Sequence, residues 1–508
     1  MLDKRASGIL MHISSLPGEY GIGTLGKAAK DFALFLRKCG FSYWQILPMG
    51  PTGEHNSPYQ CYSVFAGNYY YIDLDLLKED NLLTEEDLEK YKHTGDSYKT
   101  DFNWLKNDKL QLLKIAYNNI GVKLRNSIYR FVSRKYEWIK RYAAFMMLKN
   151  KYKGAAWYEW ADEDKYFDSH KLNTFDEKVQ KDIEFEYFCQ YMFFKQWSEL
   201  KQYVNALGIR IIGDMPMYAA YDSADVWSSP ELFEISKDSS RKLQWVAGVP
   251  PDYFSEEGQL WGNPTYDWEV MEKTHYRWWL ERFKNSFKMY DFVRVDHFRG
   301  FAKFWAIPAE SKSAKDGKWV QGPGEDLFDA LKHICRKLPI IAEDLGEITD
   351  DVKELLKYTR FPGMRVMQFA FLDDEDNLHL PHNYITNSVA YTGTHDNNTV
   401  LGWMWEGSPL QRERAINYCN IPNEQWGTGG KDSPACKAWI RTLLSSKSVL
   451  AIVPIQDLCG FGADTRMNIP GIAEENWTFR ITGEYIDNID IDWIKKMNST
   501  FKRNIFEN

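Results

Sequence analysis

Cysteine is scarce in this chain, and none of it is spaced for a task. Seven residues (Cys39, Cys61, Cys189, Cys335, Cys419, Cys436 and Cys459) lie scattered over 508 positions, an odd number with no C-x-x-C pair. That excludes a disulfide framework and leaves free thiols in a reducing cytoplasm as the expectation. Long apolar runs are missing too. None reaches the roughly 18 residues that mark a membrane-spanning helix. The opening MLDKRASGILMHI has no long apolar stretch of the kind a secretory signal needs, so none is expected. Positive charge is outnumbered, with 63 Lys and Arg against 71 Asp and Glu and a net charge of −8. Without a basic run the chain offers no footprint for nucleic acid. It also lacks a glycine-rich phosphate loop, an H-x-H or H-x-x-x-H pair, internal repeats and low-complexity tracts.

Aromatics, by contrast, are abundant: 16% of residues, including 20 Trp and 30 Tyr. Much of this must fill a large core. The remainder suits a cleft that stacks on flat, partly apolar faces, and the axial hydrogens of a pyranose make such a face.

Eight short apolar runs end in Gly, Pro or polar residues: 8–17, 43–51, 208–216, 292–298, 339–346, 364–371, 388–396 and 448–457. Helix-like segments at 26–38, 191–206, 325–337, 350–358, 408–419 and 434–444 lie between most of them. Strand and helix alternating eight times predict an α/β chain folded as a closed parallel barrel. Barrels with insertions can exceed about 400 residues as one unit, so residues 1–508 are expected to form a single catalytic barrel. The two long gaps, about 52–207 and about 217–290, are then helical and loop insertions around the C-terminal face. The first holds helical stretches near 104–118, 128–148 and 181–206. The second contains VAGVPPDYFSEEGQLWGNPTYDW (246–268), punctuated by Pro and Gly and expected to be a loop.

The polar residues on these runs gather at their C-terminal ends, which is the catalytic face of such a barrel. Asp214 ends the third run, Arg294, Asp296 and His297 the fourth, Glu343 and Asp344 the fifth, and His395 and Asp396 the seventh, while the sixth leads to Asp373. A single Asp after a strand is ordinarily a helix cap or turn former, and Asp344 is read that way. Acids after most consecutive strands are different, because their mutual repulsion costs stability unless a site needs them. In YDFVRVDHFRGF (290–301), strand alternation puts Phe292, Arg294, Asp296 and Phe298 on one face and Val293, Val295 and His297 on the other.

Glycoside cleavage uses such a set: one carboxylate as nucleophile and one protonated carboxyl as acid/base. Asp296 and Glu343 sit at the ends of adjacent strands, and strands lie roughly 4.8 Å apart, so their carboxyl groups can reach the separation of about 5–5.5 Å of retaining enzymes. Arg294 beside Asp296 is expected to keep that carboxylate ionised and oriented. Glu343, with anions near and less compensation, is expected to hold its proton near neutral pH. Asp396 can accept from adjacent sugar hydroxyls, with His395 donating to another.

At these residues the chain resembles the α-amylase superfamily: GDMPMYAAYDSADVW, VRVDHFRGF, IIAEDLG and YTGTHDNNT are similar to its four signature regions. GILMHISSLPGEYGIGTLG, NSPYQCYSVFAGN and GVPPDYFSEEGQLWGNPTYDW narrow the resemblance to the 4-α-glucanotransferases, or amylomaltases, over about residues 8–480. The resemblance implies a (β/α)8 TIM barrel without a separate C-terminal β-domain. It implies transfer of α-1,4-glucan segments between maltooligosaccharides with retention. Nothing in the residues themselves calls for a cofactor or metal, and the scattered cysteines keep the cytoplasm as the expected location. By motif position Asp296 is the nucleophile, Glu343 the acid/base and Asp396 the transition-state stabiliser. Arg294 lies beside the nucleophile and His395 on the donor sugar. Asp214 matches a sugar-hydroxyl ligand. Tyr59 is matched under the donor ring beside Ser57, Gln259 and Trp261 over the acceptor, and Asp373 as a further substrate ligand. Neither nucleic acid nor membrane is an implied partner, and a monomer or weak homo-oligomer is expected. The rivals are a retaining α-glucan hydrolase, a metal-dependent hydrolase using His297, His395, Asp214 and Asp396, and a non-catalytic glucan-binding protein on the same barrel.

Overall fold

A computed structural model of the chain describes residues 2, 4–53, 55–134, 136–168, 177–251, 256–346, 348–372, 377–422, 424–472 and 474–506. Its strands are β1 (Ala6–Leu10), β2 (Tyr43–Gln45), β3 (Arg210–Met215), β4 (Trp245–Val249), β5 (Gln259–Pro264), β6 (Phe292–Val295), β7 (Lys303–Pro308), β8 (Lys318–Gln321), β9 (Ile340–Ala342), β10 (Gly363–Val366), β11 (Ser388–Tyr391) and β12 (Leu450–Pro454).

Eight of them form one parallel sheet in the order β10-β11-β12-β1-β2-β3-β6-β9. These are the eight runs read from the sequence. A parallel sheet is covered on both faces, so its strands are largely apolar, with Asp214 in β3 and Arg294 in β6 as the charged exceptions inside the barrel. ASGIL in β1 and LAIVP in β12 are buried at every position. Gly8 in β1 has no room for a side chain, since a Cβ there would fall 2.5 Å from the Tyr43 carbonyl and 2.8 Å from Ile452. At the seam the Ala342 amide donates to the Pro362 carbonyl at 2.9 Å, so β9 approaches β10 and the sheet nearly closes.

Asp344 is placed differently from its expected role as a helix cap or turn former. The next helix, Asp350–Thr359, follows Thr349. The Asp344 carboxylate instead accepts from the Met364 amide and pairs with Arg365 at 3.3 Å. It ties β9 to β10 where the ladder is thinnest.

Helices pack outside the barrel close to their predicted places, among them Lys27–Lys38, Gly324–Ile334, Pro409–Cys419 and Pro434–Ser445. The opposite end of the barrel is closed by the C-terminal segment. Arg503 is buried and donates to the carbonyls of Ala6, Leu444, Ser446 and Ser448. Between β2 and β3 the expected helices are present, but the stretch 128–148 is two helices, Val122–Arg134 and Tyr136–Lys151.

The segment 246–268 is not an irregular loop. It supplies β4 and β5, which join β7 and β8 in an antiparallel sheet of order β5-β4-β7-β8. Short strands divided by Pro and Gly do not show a clean alternation, which hid them. Residues 252–255, which follow β4 and precede β5 in the sequence, lie outside the described residues. Among the described residues no helix is long and apolar enough to cross a membrane, and all seven cysteines are free.

Candidate active site

β6 stops at Val295. Asp296 follows as the first residue beyond the ladder, and His297 takes the left-handed conformation, φ 51° and ψ 50°. Phe298–Phe301 is then a 3-10 turn, so the predicted alternation ends before Phe298. Register pairs Asp214 with Arg294 and Val295 with Ala342. Asp296 and Glu343 are thus the next residues out on neighbouring strands.

Arg294 is the hub. One guanidinium nitrogen donates to both oxygens of Asp214 at 2.8 Å, and the other meets Asp296 at 2.9 Å. Burial alone would lower the Arg294 pKa, but Asp214 and then Asp296 outweigh it and raise it. Asp214 also accepts from the Tyr59 hydroxyl at 2.8 Å. Tyr59 lies flat on His395, ring centroids 5.0 Å apart and planes 15° apart, with Trp477 at 5.8 Å. The Ser57 hydroxyl accepts from the Tyr59 amide at 3.2 Å and so shapes the turn that delivers this ring.

Glu343 is held by the backbone. One carboxylate oxygen accepts from the His297 amide at 2.7 Å and the other from the Leu345 amide at 2.8 Å. Burial is the main cause that raises its pKa, the Asp296 charge adds to this, and Arg294 and the two amides oppose it. Asp296 departs from expectation in one respect. Burial pushes its carboxyl up as well, and Arg294 only partly pulls it back, with Asp214 and Asp396 adding repulsion. The guanidinium limits the shift rather than abolishing it.

Asp396 takes a different balance. Burial would raise its pKa, but His395 at 3.2 Å and the Asn468 amide at 2.6 Å lower it well below the carboxylate range. In return burial lowers and Asp396 more than restores the pKa of His395.

On the other side of Asp296, Trp261 in β5 stands edge-on to His297, centroids 4.8 Å apart, and its indole N–H donates to Gln259 at 3.0 Å. The β4–β5 hairpin therefore borders the site. Asp373 lies outside the described residues. The remaining expected residues, Asp296, Glu343, Asp396, Arg294, Asp214, Tyr59, Ser57, His395, Gln259 and Trp261, are joined through the contacts above. No group of three or more His, Cys, Asp or Glu among the described residues is arranged to hold a metal, so His297, His395, Asp214 and Asp396 do not make a ligand set.

Three contributors were missed in the sequence: Asn468, Trp477 and Arg466, the last donating to the Asp396 backbone carbonyl. All follow β12. The polar string GADTRMN (462–468) at the catalytic end of an eighth strand was the available signal.

A parallel barrel whose strand ends bring carboxylates around one buried arginine, with aromatic rings beside them, defines a glycoside-cleaving (β/α)8-barrel enzyme. The sequence model of the 4-alpha-glucanotransferase family matches residues 11–486. The chain is 44% identical to a 4-alpha-glucanotransferase of Clostridium butyricum over 475 residues, 92% of this chain and 95% of that one. It is 44% identical to that of Streptococcus pneumoniae serotype 4 over 488 residues, 96% and 95% of the two chains. The amylomaltase of Streptococcus agalactiae, solved in complex with acarbose, superposes with a TM-score of 0.93 at 37% identity, covering 98% of this chain and 100% of that chain. The chain belongs to the 4-alpha-glucanotransferase family and is an enzyme of the glycosyltransferase type.

Proposed function

We propose that the enzyme moves α-1,4-glucan segments between maltooligosaccharides by a double displacement with retention. The observation that carries this is the Asp214–Arg294–Asp296 array set beside a Glu343 held by the amide of the residue after Asp296. In the first step Glu343 gives its proton to the glycosidic oxygen as an Asp296 oxygen attacks the anomeric carbon. The sugar–oxygen bond breaks, the aglycone leaves as an alcohol, and a glycosyl ester of Asp296 remains. In the second step the ionised Glu343 takes the proton of an acceptor 4-hydroxyl, whose oxygen attacks the same carbon and frees Asp296.

Asp396 and His395 bind donor hydroxyls, and their mutual ion pair keeps Asp396 anionic where positive charge develops on the sugar ring. Asp214, matched to a sugar-hydroxyl ligand but buried beneath Arg294 and Tyr59, acts on the substrate through those two side chains, which it orients. Tyr59 with Ser57 lines the donor side, Trp261 and Gln259 the acceptor side, and Asp373 is a further substrate ligand. The hairpin carrying Trp261 favours a sugar over water at the ester, which makes the reaction transfer rather than hydrolysis. The proposal takes residues 1–508 as one catalytic unit with insertions at 52–207 and 217–290, acting in the cytoplasm as a monomer or weak homo-oligomer.

Maltotriose tests it. Glucose together with maltopentaose and longer chains is the expected ladder. Glucose and maltose with nothing longer would make the protein a hydrolase.

A further inference from the structure

The rim on the Asp396 side carries an aromatic ring that this chemistry does not use. The helix Val400–Glu406 buries Val400, Leu401 and Met404. Trp403 turns inward, 5.2 Å from Trp439 and 5.9 Å from Phe371. Trp405 points outward and is 47% exposed. It is nevertheless fixed. Its indole N–H donates to the Gly427 carbonyl at 3.2 Å. Its six-membered ring lies on Gly462, where a Cβ would fall 2.7 Å from it. Gly462 has φ −84°, so that residue is glycine for room and not for a left-handed turn. A ring anchored at one edge and backed by bare backbone is an apolar plate with little left to lose on binding.

Two exposed carboxylates lie near it, one on the next residue of the helix and one on the turn that backs the ring. Glu406 is held by the Asn398 amide at 2.8 Å, and Asp464 comes within 3.0 Å of the Cβ position on Gly462. An apolar plate edged by hydrogen-bond acceptors fits a pyranose, whose C–H face stacks while its hydroxyls donate. The plate is also continuous with the site. The Gly462–Asp464 turn leads to Arg466, which donates to the Asp396 carbonyl, and Arg466 also feels the charge of Glu406. β11, which precedes this helix, lies three strands around the barrel from β6, away from the Trp261 hairpin.

We propose that Trp405 is a remote donor subsite, stacking on a glucose unit of a long α-1,4-glucan whose scissile bond lies between Asp296 and Glu343. The inference rests on the glucan-transfer reading and adds a length preference to it. Maltotriose is too short to fill the cleft and the plate together, whereas long maltodextrins reach both.

Trp405→Ala should therefore lower kcat/KM for a long maltodextrin by about three- to tenfold, the worth of one aromatic stacking contact, and leave maltotriose disproportionation unchanged. Trp405→Phe should keep most of the long-chain rate. In native gels cast with glycogen, the wild-type enzyme should be retarded and Trp405→Ala less so. Equal losses on both substrates, or no loss on the long one together with unaltered retardation, would overturn the subsite. A wild-type enzyme that gives nothing longer than maltotriose, yet whose retardation depends on Trp405, would overturn the transfer reading and leave the plate standing.

Discussion

Arg294→Met is the perturbation that bears hardest on the proposed chemistry. Methionine keeps much of the stem and removes the charge and every donor. In the wild-type enzyme the side chains of Arg294 and Asp214 are 4% and 0% exposed, and that of Asp296 is 28% exposed. The variant strands two carboxylates that shared one cation. Removing one partner of a buried ion pair costs about 3–5 kcal/mol. At an unfolding entropy of about 2.1 cal/mol/K per residue over 508 residues, that is a fall of about 3–5 °C in the apparent melting temperature at fixed scan rate. The deficit should depend on pH. The folded pKa of Asp296 is already raised, and losing Arg294 raises it further. A carboxyl of that kind contributes stability below its unfolded pKa, and the contribution is lost as pH rises through the folded value. The deficit should thus be largest at about pH 7.5 and shrink at about pH 5, where Asp296 takes up a proton. Maltotriose disproportionation should fall by about 10²–10³-fold, since the nucleophile is no longer held ionised. Arg294→Met/Asp214→Asn, with one stranded anion fewer, should recover part of the stability and none of the activity. Equal melting deficits at both pH values, or activity within tenfold of wild type, would refute the assignment of Arg294 as the group that holds Asp296 ready.

Glu343→Gln should lose transfer from maltotriose by about 10²–10⁴-fold but still release fluoride from α-maltosyl fluoride, a leaving group that needs no proton. It should also lack the alkaline limb of the wild-type pH profile, which follows from the raised pKa of Glu343. Asn468→Ala removes the 2.6 Å donor to Asp396. Since Asp396 is partly open to solvent, kcat/KM should drop by roughly fivefold, about 1 kcal/mol, with the acid limb, which the raised carboxyl of Asp296 sets, left in place. Lys315→Ala removes the ion pair of the clasp between Glu257 on the β4–β5 hairpin and the 311–317 turn, leaving only the Ser313 hydroxyl on Glu257. Both partners are exposed, so the melting temperature should stay put, while the share of hydrolysis, read as net reducing ends formed from maltotriose, should rise.

The barrel was legible because a parallel strand buried on both faces reads as a mainly apolar run, and the eight runs do so apart from charged residues such as Asp214 and Arg294 that belong to the site. The helices were legible through their ends. Pro434 opens one at its N1 position behind Ser433, and Ser408 with Gln411 makes a capping box before another. The β5-β4-β7-β8 sheet was hidden because its strands sit among Pro and Gly, and its pairing of residues near 245 with residues near 308 is nowhere local. Asp296, Glu343 and Asp396 could be found because an acid beyond the end of a strand is visible in one dimension. Asn468, Arg466 and Trp477 could not be found in that way, since they reach the site from the turn after β12. The seam role of Asp344 was invisible for a related reason: a helix cap and a tie to the next strand look alike until the neighbouring strand is placed.

The alternation of residues 290–301 suggested a longer strand than the molecule builds, and the shortfall bears on function. A left-handed residue other than glycine costs about 1–2 kcal/mol, and His297 adopts that conformation immediately after Asp296. The turn points the His297 amide at the Glu343 carboxylate and the Phe298 amide at the Glu343 backbone carbonyl, 2.7 and 3.1 Å away. Had the ladder run on to Phe298, the side chain at 296 would have stayed inside the barrel with Asp214 and Arg294, and Glu343 would have lacked one of its two backbone donors. The same two peptide units thus end the strand at Asp296 and fix the second carboxyl beside it. A register error in β6 would disturb both carboxyl groups at once, which is why the strain at His297 belongs to the site rather than to the fold.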